Sequence, residues 1–219
     1  MSDENGMTDE HGMIDDADAR ARFESALATE YFVLQGASGA TISESSSRSS
    51  LYMVSLSSSL IALGFVLNAS EESFLSFAAV VLPVLFVLGA FTVVRLVDTS
   101  VENVRVLQQM ARIRRHFAGI WPPGAHLFGM VETEVGEASR SLGLRRANRR
   151  AVFFTMATVI GAVNAVVGGA IVVLAVTTLL AVPTSAAVIA GVVTALALTA
   201  VAVGYQLARF APLFPTNQP

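Results

Sequence analysis

Cysteine and lysine are absent from the sequence, and charged residues make up only 14% of its 219 residues. Without cysteine, the chain has no disulfide, zinc thiolate, iron–sulfur cluster or cysteine nucleophile. Its three histidines, His11, His116 and His126, are too few and too scattered to predict a metal site, and the sequence contains neither an HExxH motif nor a Walker loop. We therefore predict a non-enzymatic protein without catalytic, cofactor-binding or metal-binding residues.

Apolar residues, in contrast, are abundant. They make up 53% of the chain and give it a mean hydropathy of +0.62, which lies outside the usual range of soluble domains. They are concentrated in residues 51–68, 74–97, 152–180 and 186–208. A helix of about 20 residues crosses a hydrocarbon layer of about 30 Å. The sequence therefore predicts an all-α polytopic membrane protein whose four transmembrane helices form two hairpins, 51–97 and 151–209.

Polar segments precede and follow the first hairpin. Residues 1–16 are acidic and low in hydrophobicity, which predicts a disordered tail. Apolar residues near helical spacing, from Phe23 to Ile42, predict an amphipathic helix over 17–50 that runs into the first span without a break. The insert at 98–150 predicts a pair of helices, at about 99–118 and 127–150, and residues 210–219 form a tail.

Two local signals mark the start and the end of the first helix of the insert. Thr99-Ser100-Val101-Glu102 has the pattern of a capping box, in which a hydroxyl and a glutamate satisfy free amides at a helix start. Gly119 and the segment Trp121-Pro122-Pro123-Gly124 predict its end, because proline cannot continue a helix.

The distribution of arginine predicts the orientation. All fourteen basic residues are arginines, and none lies in the connections Asn68–Ser73 and Val182–Ser185. Cytoplasmic loops collect basic residues, so both termini and residues 98–150 are expected in the cytoplasm. The start of the chain lacks the basic and apolar regions of a signal peptide, and the composition is typical of a GC-rich bacterial coding sequence. We expect the protein in a bacterial plasma membrane, which is the inner membrane where there are two.

Small and polar residues within the spans predict helix packing. Glycine and alanine at four-residue spacing allow helix backbones to approach closely, and serine or asparagine can hydrogen-bond between helices. The alternatives are a chance pattern for the small residues and a polar pathway for the serines and the asparagine. The packing candidates are Ser55, Ser59, Gly161, Asn164, Ala165, Gly169, Ala187, Gly191 and Ala195.

Residues 98–150 hold nine arginines against five acidic residues, a net charge of +4. Because these arginines cluster beside membrane-proximal positions, contact with anionic lipid explains them more simply than nucleic-acid binding, which we do not expect. Trp121 suits an anchor at the membrane interface. The residues predicted to contact lipid or a protein partner are Arg112, Arg115, Arg145, Arg146, Arg149, Arg150 and Trp121.

Two short phrases, Glu30-Tyr31-Phe32-Val33-Leu34-Gln35 and Ala111-Arg112-Ile113-Arg114-Arg115-His116-Phe117, resemble uncharacterised actinobacterial multispan membrane proteins. The order of parts is also similar to that of SLATT-type membrane effectors, whose core has two spans where this chain has four predicted ones. That resemblance implies a protein that perturbs the membrane in the company of a nucleotide-sensing system. It assigns no functional residue here.

Two functions follow as expectations. In the first, the cytoplasmic helices assemble the protein with itself or dock a cytoplasmic protein partner, with anionic lipids around the spans. In the second, the chain forms an oligomeric pore or a membrane-disrupting effector that is gated by those helices. Polar residues aligned along one face of the first span would favour the pore, whereas spans sealed by apolar side chains would favour the docking protein.

Overall fold

The computed structural model describes residues 4–120, 122–128, 156–180 and 182–213, with the backbone alone for residues 4–15, 125 and 128. Its four α-helices are α1 (Glu4–Leu67), α2 (Glu71–Ile120), α3 (Met156–Leu179) and α4 (Thr184–Phe210), and short 3-10 helices cover Pro122–Phe128 and Ala211–Leu213. Each α-helix contains a segment long and apolar enough to cross a membrane. The all-α class and the four membrane-length helices are thus confirmed. The second insert helix predicted at 127–150 lies, apart from its first two residues, outside the described residues, as do residues 214–219.

Helix α1 is one continuous helix of 64 residues, about 96 Å long at 1.5 Å per residue. It joins the amphipathic segment 17–50 to the first apolar segment without a break, as predicted. Its backbone is already helical from Glu4, within the acidic segment for which the sequence predicts disorder. Carboxylates in the first turns of a helix interact favourably with its dipole, which is one physical reason for a helix to start among them.

Helix α2 continues through the position at which the sequence predicts a new helix start. The capping-box prediction at Thr99–Glu102 is wrong, because the Thr99 and Ser100 hydroxyls donate backward to the carbonyl oxygens of Arg95 and Leu96, at 2.6 and 2.7 Å. Val97, Val101 and Val104 are buried in register along this stretch, so packing favours an uninterrupted helix. The predicted end is confirmed, since α2 ends at Ile120, just before the prolines.

The actual start of α2 is capped by a different serine. The backbone N–H of Ser73 donates to the Ser70 hydroxyl at 3.1 Å, and Glu71 and Glu72 occupy the first turn. A hydroxyl acceptor and negative charge at this position satisfy free amides and complement the helix dipole. The chain therefore turns tightly between α1 and α2.

The helices pack in the order α1, α2, α3, α4, with α2 and α3 at the centre. Phe23, early in α1, contacts His116, late in α2, and Glu44 pairs with Arg95 nearer the middle of both helices, so α1 and α2 run antiparallel. The core consists of apolar side chains from all four helices, with Phe210 from α4, and its main members are Tyr52, Leu56, Leu85, Leu96, Val97 and Ile160. Outward-facing side chains such as Phe65, Phe91 and Leu196 remain exposed, which suits a hydrocarbon environment.

Beyond the apolar segments, α1 and α2 stay together as a two-helix rod, which consists of residues 17–50 of α1 and 98–120 of α2. The 23 residues of α2 that follow Val97 extend about 35 Å. At the far end, the rings of Phe23 and His116 meet edge to face with centroids 5.9 Å apart. The insert is thus in part a direct extension of the first two membrane-length helices.

Candidate functional site

The small residues predicted to pack helices lie where α3 meets α4. Gly169 and Gly191 bring the two backbones together, because a Cβ added to Gly169 would lie 2.6 Å from the carbonyl oxygen of Gly191. Ala195 adjoins the same point, and Ala165 and Ala187 are buried. Gly161 faces Ala202 of α4 and Val93 of α2. The contacts of Gly161, Gly169 and Gly191 thus join α3 to α4 and to α2.

Asn164 lies at a junction of three helices. The Tyr52 hydroxyl of α1 donates to its Oδ1 atom at 3.3 Å, and both side chains are buried. Gly89 of α2 completes the junction, because a Cβ there would overlap the Asn164 amide and lie 2.8 Å from Cε2 of Tyr52. A buried polar pair needs its hydrogen bond, since an unpaired polar group in an apolar interior is costly. The junction therefore holds α1, α2 and α3 in one register.

The serines of α1 divide between two faces. Ser55 and Ser59 are half-buried, on the side that faces the rest of the chain, whereas Ser57 and Ser58 are exposed. The exposed face also carries small residues seven positions apart, at Gly36, Ser43, Ser50, Ser57 and Gly64. An added Cβ at Gly36 or Gly64 would meet nothing within 4 Å. This small-residue stripe is thus open within the described chain.

Polar contacts between helices are also found where the apolar segments end and the rod begins. The Thr158 hydroxyl of α3 donates to Oε1 of the fully buried Gln206 of α4 at 2.9 Å. Asp98 of α2 and Arg209 of α4 form an ion pair at 2.5 Å. These contacts join α4 to α2 and α3 at one end of the molecule.

Glu44 of α1 forms ion pairs with Arg95 of α2 at 2.8 Å and with Arg48 of its own helix at 2.9 Å. Hydrogen bonds from Arg95 and then from Arg48 lower the pKa of Glu44. Because this pKa is lowered on folding, the contribution of the pair to stability is complete above the ordinary value of 4.5 and is lost as the pH falls through the lowered value. The pair is therefore intact at neutral pH.

Inside the rod, Asn103 of α2 accepts two hydrogen bonds from α1. The Ser38 hydroxyl donates to its Oδ1 atom at 2.7 Å and the Thr41 hydroxyl at 3.3 Å. Asn103 and Thr41 are both buried. A buried asparagine between paired helices fixes their register, so this contact aligns the rod as the Tyr52–Asn164 contact aligns the apolar segments.

A basic pocket lies at the far end of the rod. It has a volume of about 530 Å³ and is lined by Arg20, Arg112, Arg115, His116, Gly119 and Ile120. Two of these arginines are predicted contact residues, and the structure adds Arg20 from the other helix. Arg145, Arg146, Arg149, Arg150 and Trp121 lie outside the described residues.

Sequence reasoning missed Arg20, Gly89 and Asn103. Apolar residues flank Gly89 and Asn103 at helical spacing and were the available signal. They are Leu85, Val93 and Leu96 for Gly89, and Leu96, Val106 and Leu107 for Asn103. Arg20 belongs to an acidic segment, and nothing local indicates that it meets residues 112–120. That contact depends on how two long helices align.

Among the described side chains, no three metal-binding groups come together. Comparison with protein-family models, curated proteins and solved structures produced no match to this chain.

Proposed function

We propose that this chain is a non-enzymatic integral protein of a bacterial plasma membrane. Its two hairpins cross the bilayer, both termini and the rod lie in the cytoplasm, and the rod docks a cytoplasmic protein partner. The apolar, membrane-length helices support the membrane part of the proposal. The absence of arginine from Asn68–Ser73 and Val182–Ser185 supports the orientation.

The observation that carries the proposal is the continuity of α1 and α2 from their apolar segments into the rod. A partner that moved or held the rod would act directly on the packing of the membrane-length helices. The polar groups found between those helices support a structural role over a chemical one. Tyr52 binds Asn164, and Thr158 binds Gln206, so each pair joins two helices.

The surface of the rod supports docking. Phe32, Val33 and Ile42 are 60–70% exposed, although this stretch of α1 precedes the apolar segment and is expected in water. Contiguous apolar patches exposed to water mark protein interaction sites, whereas single exposed apolar side chains are ordinary, and we infer that Phe32 and Ile42 belong to such a patch. We propose that a cytoplasmic partner covers Phe32 and Ile42.

The small-residue stripe on α1 favours a second function, assembly of several copies around α1 into a pore. Exposed serines continue along this face into the apolar segment at Ser57 and Ser58, where they would line a polar path between copies. Small residues also allow close approach of helices in membranes. This alternative predicts contacts between identical chains at Ser57.

A photo-crosslinking amino acid placed at single positions separates the two functions. At Phe32, we expect an adduct in living cells whose added mass is not a multiple of the 23.0 kDa chain. At Phe65, an equally exposed phenylalanine of the same helix, we expect no protein adduct because lipid surrounds it. A series of adducts from Ser57 that differ in mass by one chain would favour the pore. The absence of any adduct from Phe32 would contradict docking.

A further inference from the structure

The pocket at the far end of the rod combines three arginines from two helices. Arg20 comes from α1, and Arg112 and Arg115 come from α2, beside His116. Arginine presents a planar fork of donors that matches phosphate oxygens, often with two hydrogen bonds to one group. Three such forks around one opening form a site for an anion that carries phosphate.

The contact of Arg20 with its own helix leaves room for a stronger partner. Arg20 pairs with Glu24 one turn away at 3.1 Å, and its side chain is 68% exposed. Exposed pairs at this spacing contribute little to stability. A phosphate group, with more charge than a carboxylate and three acceptor oxygens, would displace Glu24 from Arg20 at small cost.

The position of the pocket indicates the source of the phosphate. Arg112 follows Val97, the end of the apolar segment, by 15 residues along one continuous helix, which places it about 22 Å further along the axis. Screening limits attraction between exposed charges to about 8 Å at physiological ionic strength. Lipid headgroups at the end of the apolar segment would lie beyond this distance.

The size of the pocket fits a small molecule. The site is a shallow opening on the surface, and its volume of about 530 Å³ falls within the range of about 300–1,000 Å³ that is usual for ligand sites. Gly119 and Ile120 add an apolar wall, and the contact of His116 with Phe23 joins α1 and α2 at this level. We propose that the pocket binds a soluble, phosphate-bearing small molecule, which would bridge the two helices of the rod. This inference does not depend on the identity of the protein partner.

Inorganic pyrophosphate is the probe, titrated by calorimetry into the full chain in phosphatidylcholine nanodiscs at 150 mM salt. We expect saturable binding with one molecule per chain. The double variant R112Q/R115Q should weaken it at least 30-fold. The control R22Q/R105Q removes the same charge from the rod outside the pocket, one arginine from each helix, and it should change affinity less than threefold. Absence of binding to the wild-type chain, or equal loss in both double variants, would overturn the proposal.

Two further experiments distinguish the proposal from a folding defect and from lipid binding. If R112Q/R115Q does not fold, two single variants of α1 take its place. R20Q, inside the pocket, should weaken pyrophosphate binding at least fivefold. R22Q, outside the pocket, should weaken it less than twofold. In nanodiscs that contain 30% phosphatidylglycerol, pyrophosphate affinity should stay the same. Loss of pyrophosphate binding in those nanodiscs would show that a lipid headgroup occupies the pocket and would overturn the soluble source.

Discussion

Leucine in place of Gly191 should separate α4 from α3 and destabilise the protein by about 3 kcal/mol or more, as overpacking of a close helix contact does. A Cβ at Gly191 would lie 2.8 Å from the backbone carbonyl oxygen of Gly169. Backbone cannot rotate away as a side chain can, so the whole helix must shift. That shift would also disturb the Thr158–Gln206 and Asp98–Arg209 contacts.

The matched control is Gly204→Leu on the same helix, where an added Cβ meets nothing within 4 Å. Titration of the purified protein from a mild detergent into SDS gives the unfolding midpoint of each variant. We expect a large fall for Gly191→Leu and almost none for Gly204→Leu. Equal midpoints for the two variants would show that α3 and α4 do not meet at Gly169 and Gly191.

Valine in place of Gly89 should have the second largest effect, again about 3 kcal/mol. Its side chain would occupy the space of the Asn164 amide and press on the Tyr52 ring. If Asn164 moved aside, the hydrogen bond from the Tyr52 hydroxyl would be lost and both polar groups would remain buried without it. Both consequences loosen the junction of α1, α2 and α3.

Gly64→Val provides the comparison, because Gly64 is exposed on the membrane-length part of α1 and has no neighbour within 4 Å. The SDS midpoint should fall for Gly89→Val and stay close to the wild-type value for Gly64→Val. The variant Asn164→Ala should partly restore the Gly89→Val protein by making room. A Gly89→Val midpoint close to the wild-type value, or failure of Asn164→Ala to restore a lowered one, would contradict the junction.

The helices of the described chain were largely predictable from sequence, because a long apolar run has few alternatives to a membrane-length helix. The continuity of α2 through Thr99–Glu102 was not predictable, because the same hydroxyls that cap a helix start can also bond backward within a continuing helix. Which of the two occurs depends on tertiary packing, and here Val101 and Val104 are buried. Local pattern does not contain that information.

The candidate site was likewise predictable from the sequence only in part. Gly169 and Gly191 were indicated by spacing within their own helices, and the structure places them against each other. The pairing of Asn103 with Ser38 and Thr41, and the meeting of Arg20 with Arg112 and Arg115, join residues more than 60 positions apart. Such contacts follow from the alignment of two long antiparallel helices, and no local signal specifies that alignment.

Side-specific labelling of single cysteines tests most directly that the chain crosses the membrane with the rod in the cytoplasm. The natural sequence has no cysteine, so Ala69→Cys in the α1–α2 connection and Gln109→Cys on the exposed surface of the rod are each the sole thiol. With a membrane-impermeant maleimide on intact cells, we predict that Ala69→Cys is labelled and that Gln109→Cys is labelled only after permeabilisation. Labelling of Gln109→Cys in intact cells, with Ala69→Cys protected, would contradict the orientation. Equal labelling of both before permeabilisation would contradict the membrane crossing itself.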